Sequence, residues 1–216
     1  MAKVKTIDLL ALVLWAIPFG AWLIFKDALP DRLPVHWGVN GNVDGWVNKD
    51  RMPIYLAVLT GAGILVYVLL RFIKNIDPKR NASLNEAAAL KVGIGIVAFI
   101  TAINLLILLP KGAAFNMTST IFSMAGLLFT FLGNLMYNIK PNYFIGIRLP
   151  WTLENENNWR QTHRIAGVTW FVGGLVCAVL AFVLPPAAMF VVFLVITLSL
   201  VLIPGIYSFM LFKRSS

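Results

Sequence analysis

The sequence predicts an all-α fold, a polytopic membrane bundle of six transmembrane helices, and three observations lead there. Of the 216 residues, 59% are hydrophobic and only 12% charged, half the charged fraction of about 25% that a soluble domain carries. Mean hydropathy is +0.82, which excludes both a water-soluble globule and a disordered chain. The apolar residues gather in six runs near the roughly 20 residues that cross a bilayer, without the alternation of a membrane β-barrel.

The first run, Ile7–Phe25, follows Lys3 and Lys5 and contains Pro18. A basic start and an apolar stretch also describe a signal peptide, but this run is long for one and further spans follow, so it reads as a retained helix. The second, Pro53–Ile73, opens on a proline, whose missing N–H costs least at a helix start. Ala87–Leu109 stops at Pro110, Thr120–Ile139 at Lys140-Pro141, and Ile165–Leu184 at Pro185-Pro186. The sixth, Ala187–Phe212, carries Pro204-Gly205, where a kink is expected. Cys177, the single cysteine, excludes an intramolecular disulfide and a cysteine metal site.

Six spans return both termini to one side. Of the 18 Lys and Arg residues, only Lys26, Arg32, Lys49, Arg51 and Lys111 fall on the opposite side, and the positive-inside rule then makes both termini cytoplasmic. The net charge of +9 is accounted for by this bias and by anionic lipid heads, with no nucleic-acid partner. The chain divides into residues 1–73, a two-helix unit with an extracellular loop 26–52, and residues 74–216, a four-helix unit with a cytoplasmic loop 138–164. The segment Lys74–Glu86 between them reads as a solvated basic linker.

In the extracellular loop, Leu33, Val35, Trp37 and Val39 alternate ahead of Asn40-Gly41, a hairpin signal because Asn-Gly supplies the positive φ angles of a tight turn. Asp44-Gly45 marks a second turn, and Trp37 and Trp46 suit the headgroup belt. The polar groups Asp31, Arg32, His36, Asn40, Asn42 and Asp44 fit either a ligand-touching cap or a turn-rich connector, since long ordered loops are often functional. In the cytoplasmic loop, Leu149-Pro150 should be extended and Thr152 can cap a polar helix that starts near Leu153 and runs on into the fifth span. Its Glu156, Arg160 and Arg164 form an i, i+4 ladder, and Glu156, Trp159 and His163 share a stripe. One reading is a salt-laced helix anchored at the interface by Trp159; the other joins Asn142, Arg148, Trp151, Thr152, Trp159, His163 and Arg164 into a recognition surface.

An enzyme is not expected. His36 and His163 are the only histidines, and the topology separates them by about 30 Å of hydrocarbon. No H-E-x-x-H, G-x-S-x-G, phosphate loop or G-x-G-x-x-G is present, Glu154 and Glu156 make a weak carboxylate pair, and neither metal nor cofactor is called for. Beyond Lys91 the spans read as free of the Asp, Glu or His that an ion pump requires. Asn104 and Asn134 read as inter-helix hydrogen-bonding groups, with Tyr137 and Asn138 further polar candidates near the bilayer, and Gly61, Gly63, Gly93, Gly95, Gly173 and Gly174 read as close helix packing.

The motif Gly-Ile-Arg-Leu-Pro-Trp-Thr-Leu at 146–153, followed by Trp-Arg-Gln-Thr-His-Arg-Ile-Ala-Gly at 159–167, closely resembles the signature of the SdpI family of bacterial immunity proteins. Leu-Pro-Asp-Arg-Leu-Pro-Val-His-Trp at 29–37, with Gly-Asn-Val-Asp-Gly-Trp at 41–46, resembles the uncharacterised N-terminal domain common in that family. The resemblance implies a multi-pass protein of the bacterial cell membrane that protects its host from a secreted, membrane-active peptide toxin. It also implies a cytoplasmic ArsR-type repressor as a second partner. On this reading Pro34, His36, Trp37, Asp44 and Trp46 contact the toxin, and Arg148, Trp151, Thr152, Glu154, Trp159, His163 and Arg164 form the cytoplasmic motif or repressor dock. The competing class is a small-molecule, lipid or peptide transporter.

Overall fold

The computed structural model describes residues 4–76, 82–109 and 116–215. Six of its helices are long and apolar enough to cross a membrane: α1 (Thr6–Phe25), α2 (Met52–Arg71), α4 (Ala82–Leu108), α5 (Met117–Met136), α7 (Glu156–Leu180) and α8 (Pro186–Ser215). Between α1 and α2 stand strands β1 (Arg32–Trp37) and β2 (Val43–Asn48) and a single 3-10 turn, Lys49–Arg51. Two short helices complete the described elements: α3 (Ile73–Ile76) after α2, and α6 (Pro150–Glu154) before α7. The expected stop at Pro110 and the basic residues Lys79, Arg80 and Lys111 lie outside the described residues. Pro53 sits in the first turn of α2 as expected, while α1 and α8 each continue through an internal proline, Pro18 and Pro204.

Packing gathers the spans into two groups. The first is α1, α2 and α4; the second is α5, α7 and α8, joined to the first where α4 touches α5. The most extensive helix pair is α5 with α7, and its cause lies in four glycines. A Cβ added at Gly126 would lie 2.6 Å from Gly174 O, and one at Gly133 would lie 2.5 Å from Phe171 N. Gly126 and Gly133, like Gly167 and Gly174, are spaced by two helical turns, so each antiparallel pair brings backbone onto backbone. The sequence singled out only Gly174 of these four. At Gly61, which it did single out, nothing lies within 4 Å of an added Cβ.

Two further expectations are corrected. Asn104 is fully buried but donates to Ile100 O of its own helix at 2.9 Å, and its Oδ1 has no partner among the described residues. Asn134 is exposed on α5. Among the hydrogen bonds that do join helices is that of Thr101, whose hydroxyl donates to Leu14 O at 2.8 Å. Hydroxyls suit this task because they can reach a neighbouring carbonyl while staying close to the helix surface.

The spans also hold an acid that hydropathy hid. Asp8 lies in the first turn of α1; its Oδ1 accepts from Tyr67 Oη at 2.6 Å and Arg71 Nε at 2.9 Å. Arg71 also approaches Glu86 at 3.4 Å, and Lys5 Nζ donates to Glu86 at 2.7 Å. Two cations and two carboxylates thus tie α1, α2 and α4 at the end of the bundle that carries both termini. Arg71 is buried, and a buried guanidinium persists only with such partners.

Candidate functional site

Each end of the bundle carries one built feature. At the first, β1 and β2 form an antiparallel hairpin whose Cα partners run from Arg32 opposite Asn48 to Trp37 opposite Val43. Asn40-Gly41 makes the expected turn: Gly41 has φ 79° and its N–H donates to Gly38 O at 2.8 Å. Asp44-Gly45 is not a turn, contrary to expectation; both residues lie in β2. Gly45 stands opposite His36, and a Cβ there would come within 2.7 Å of the histidine Cβ. The glycine answers a crowded cross-strand position rather than a chain reversal.

That position aims His36 at Asp44. The two side chains meet with Nδ1 and Oδ1 2.5 Å apart, so the ring donates its Nδ1–H to the carboxylate and turns Nε2 away from it. They are 71% and 53% exposed, so the pair contributes little to stability. It borders a cavity of about 630 Å³ between the hairpin and the ends of α4, α5 and α8. Val35, Trp37 and Val39 line it from the hairpin, Ile103 and Ile107 from α4, Thr118, Ile121 and Phe122 from α5, and Phe190 from α8. The tip closes over it, since Gly41 lies against Pro186 and Thr118. An apolar chamber with a few polar groups at its rim is the common form of a ligand site.

Of the five outer residues expected to act together, His36, Trp37 and Asp44 share this cavity. Trp46 faces a different recess, with Arg32, Asn48, Arg51, Ile54 and Tyr55, and Pro34 pairs with Trp46 across the ladder. The hairpin is held down by Leu33, which is buried with Leu29, Met52, Leu56 and Leu108.

The loop 138–164 at the other end is a hydrogen-bonded plug. Asn142 Oδ1 accepts from the N–H groups of Phe144 and Ile145 at 2.8 and 2.7 Å, and its amide donates to Lys140 O and Ile145 O. Gly146, at φ 105°, lies against the His163 ring with no room for a Cβ. His163 Nε2 accepts from Ile147 N–H at 3.0 Å, and its Nδ1 donates to Trp159 O at 2.9 Å. Trp159 stacks on that ring at 4.0 Å and donates its indole N–H to Ile139 O at 2.7 Å.

Thr152 does not cap the long helix. It lies inside α6, where its hydroxyl accepts from Leu149 N–H at 2.9 Å and bonds back to Ile147 O. The chain then breaks at Asn155, whose extended backbone and side chain cap α7 by accepting from Asn158 N–H at 2.9 Å. A polar helix running unbroken from Leu153 is therefore replaced by two helices. Trp159 is buried rather than seated at an interface, and with Thr152 and His163 it is at most 1% exposed. Arg148, Glu154 and Arg164 remain at the surface. Arg148 reaches back to Tyr143 O at 2.6 Å.

Sequence reading missed the partner of this loop on α8. Ser208, a buried hydroxyl in an apolar helix, accepts from Trp151 Nε1 at 2.8 Å and donates to Asn158 Oδ1 at 2.7 Å. Asn158 returns a bond to Ser208 O at 3.0 Å and accepts from Thr162. Trp151 also stacks on Phe212. The signal available was the polar residue at 208, four residues after Pro204. Among the described residues, no group of three or more His, Cys, Asp or Glu side chains converges to hold a metal.

Comparison with known proteins meets the same two features. Residues 13–60, which include α1's second half and the hairpin, match a domain of unknown function, DUF1648. Residues 138–208, from the plug to Ser208, match the SdpI/YfhL protein family. The chain is similar to the immunity protein SdpI of Bacillus subtilis (strain 168), at 23% identity over 196 residues, 90% of this chain and 91% of the relative. No solved structure matches. This multi-pass bacterial membrane protein therefore carries an N-terminal segment that matches DUF1648 and a C-terminal segment that matches the SdpI/YfhL family, and the resemblance read from its two loops holds at both.

Proposed function

We propose that this chain is a membrane immunity protein that protects a bacterium from a secreted, membrane-active peptide, capturing it in the cavity under the hairpin. The observation that carries this reading is the position of that cavity. It is roofed by the DUF1648 hairpin and floored by α4, α5 and α8, so an apolar occupant would contact both sequence units at once. His36 and Asp44 offer hydrogen bonds at its rim, and Trp37 an aromatic wall. The relative's name, an immunity protein, supports the same activity.

On this reading the hairpin faces outward and the termini and plug face the cytoplasm, in keeping with the uneven distribution of Lys and Arg. The units 1–73 and 74–216 are the capturing and relaying parts. Helix α8 runs from Phe190 at the cavity to Ser208 at the plug, so a shift of α8 on binding would strain the Ser208–Trp151–Asn158 hydrogen bonds. A repressor would read the exposed Arg148 and Glu154 while Thr152, Trp159 and His163 hold their backbone in place. Coupling of this kind requires the peptide to bind one arrangement of α8 better than another.

The test is survival of a sensitive bacterium challenged with an SDP-type peptide, with membrane levels of all variants matched. Wild type protects, and Trp37→Ala with Val35→Asn in the cavity lowers protection at least tenfold. Equal survival with and without the wild-type protein overturns the reading. Accessibility labelling of cysteines placed at Asn40 and Asn157 checks the topology; labelling of both from one side overturns it.

A further inference from the structure

The outer surface of the α5–α7 pair carries a third feature, apart from the hairpin cavity and the buried plug. Because Gly133 and Gly167 bring the two backbones together, the side chains beside them stand up as walls of an open groove of about 410 Å³. Val168, Phe171 and Val172 form its apolar length, with Gly133 and Gly167 as the floor, and Arg164, Tyr137 and Asn134 line the same groove. Val168 is 60% and Tyr137 68% exposed, so this face of the bundle meets lipid.

The charges place the groove in the bilayer. From Ile165 to the end of α7 at Leu180 a helical rise of 1.5 Å per residue covers about 24 Å, most of the roughly 30 Å hydrocarbon thickness. Arg164 therefore stands at the headgroup boundary. Tyr137, just after the last turn of α5, reaches the same level from the other wall. Arg164 has no ion-pair partner among the described residues, and no carboxylate lines the groove. Glu156 is the preceding acid on α7, about 12 Å away along the axis. A guanidinium whose donors meet no partner among the described residues, at headgroup depth above an apolar slot, is complementary to a phosphate carrying acyl chains.

We propose that the α5–α7 groove holds one anionic phospholipid, with an acyl chain along Gly133, Gly167 and Phe171 and the phosphate on Arg164 and Tyr137. This does not depend on the immunity reading. Arg164 is then a lipid anchor beside the plug, and the lipid braces the helix that carries Trp159 and His163.

The experiment uses the purified full chain in neutral detergent, with native mass spectrometry and thermal unfolding after addition of phosphatidylglycerol, phosphatidylcholine or inorganic phosphate. Phosphatidylglycerol is expected to be retained at one molecule per chain and at least tenfold more tightly than phosphatidylcholine. Arg164→Gln removes that preference, Arg164→Lys keeps part of it, and Val168→Trp, which fills the slot, weakens retention of both lipids. Equal retention of the two lipids, or an unchanged preference in Arg164→Gln, overturns the proposal. Full competition by inorganic phosphate overturns it in favour of a free-anion site. A lipid-independent dimer abolished by Val168→Trp overturns it in favour of a second copy of the chain. Should Arg164→Gln fail to fold, Val168→Trp and the two-lipid comparison on wild type still decide.

Discussion

The two ends of this bundle invert what their sequences suggest. The loop 138–164 carries the more distinctive motif, yet its most recognisable side chains, Thr152, Trp159 and His163, point inward and bond to backbone. The hairpin end has the plainer sequence, yet there His36 and Asp44 stand open beside a cavity. A motif records whichever residues a structure cannot exchange, and a loop without regular ladders must satisfy its buried N–H and C=O groups with particular side chains. A hairpin satisfies most of them through its own ladder and leaves side chains free for contact. Recognisability and accessibility are therefore different properties.

The comparison breaks first at Trp159. Trp159→Ala removes a fully buried indole, its stack on His163 and its bond to Ile139 O, and should destabilise the protein by about 3–5 kcal/mol. Trp159→Phe keeps most of the packing and loses the hydrogen bond, at a cost of about 1–2 kcal/mol. Thermal unfolding in detergent checks both. A loss under about 1 kcal/mol for the alanine variant would mean that the plug is looser than its hydrogen bonds imply.

The next largest effect belongs to the cluster that hydropathy concealed. Asp8→Asn leaves Arg71 with Glu86 and a neutral amide, and the expected loss is about 2 kcal/mol, read as a lower unfolding temperature. Because Arg71 is buried, raising the salt concentration should change this loss little. A loss that vanishes in high salt would assign the cluster to the surface. Lys5, 45% exposed in its side chain, supplies the internal control, since Lys5→Gln should cost under about 1 kcal/mol.

These residues also mark where sequence reading stops. Span number and approximate position were legible because a bilayer imposes a length that any apolar run displays. The Asn40-Gly41 turn was legible because its backbone angles restrict the residue type. Asp8 was not, because an acid near the end of an apolar run looks the same whether it meets water or an arginine 63 positions later. The Gly126–Gly174 and Gly133–Gly167 contacts were hidden for the same reason: a glycine reveals a close approach only once the facing helix is known. At the candidate site, sequence named His36, Trp37 and Asp44 in one set with Pro34 and Trp46, without separating the two recesses they face, and gave no sign that Ile103, Phe122 and Phe190 would close a chamber around the first three. Those are ordinary span residues, and only the packing of α4, α5 and α8 makes them walls.

The smallest stability effect carries the sharpest functional contrast. His36→Ala removes a solvent-exposed partner of Asp44, so unfolding should shift by less than about 0.5 kcal/mol. Under the proposed function the same change strips a hydrogen-bonding group from the rim of the cavity, and protection should fall several-fold at unchanged membrane levels. Asp44→Asn sharpens the point: it keeps an acceptor for the histidine N–H while removing the charge, and should retain more protection than His36→Ala. His163→Ala should behave in the opposite way, lowering stability by about 1–3 kcal/mol by leaving Ile147 N–H unpaired, with protection following the amount of folded protein. If instead His36→Ala lost protection only in proportion to protein level, the hairpin end would be structural like the plug. The division between an open end that contacts and a closed end that supports would then fail.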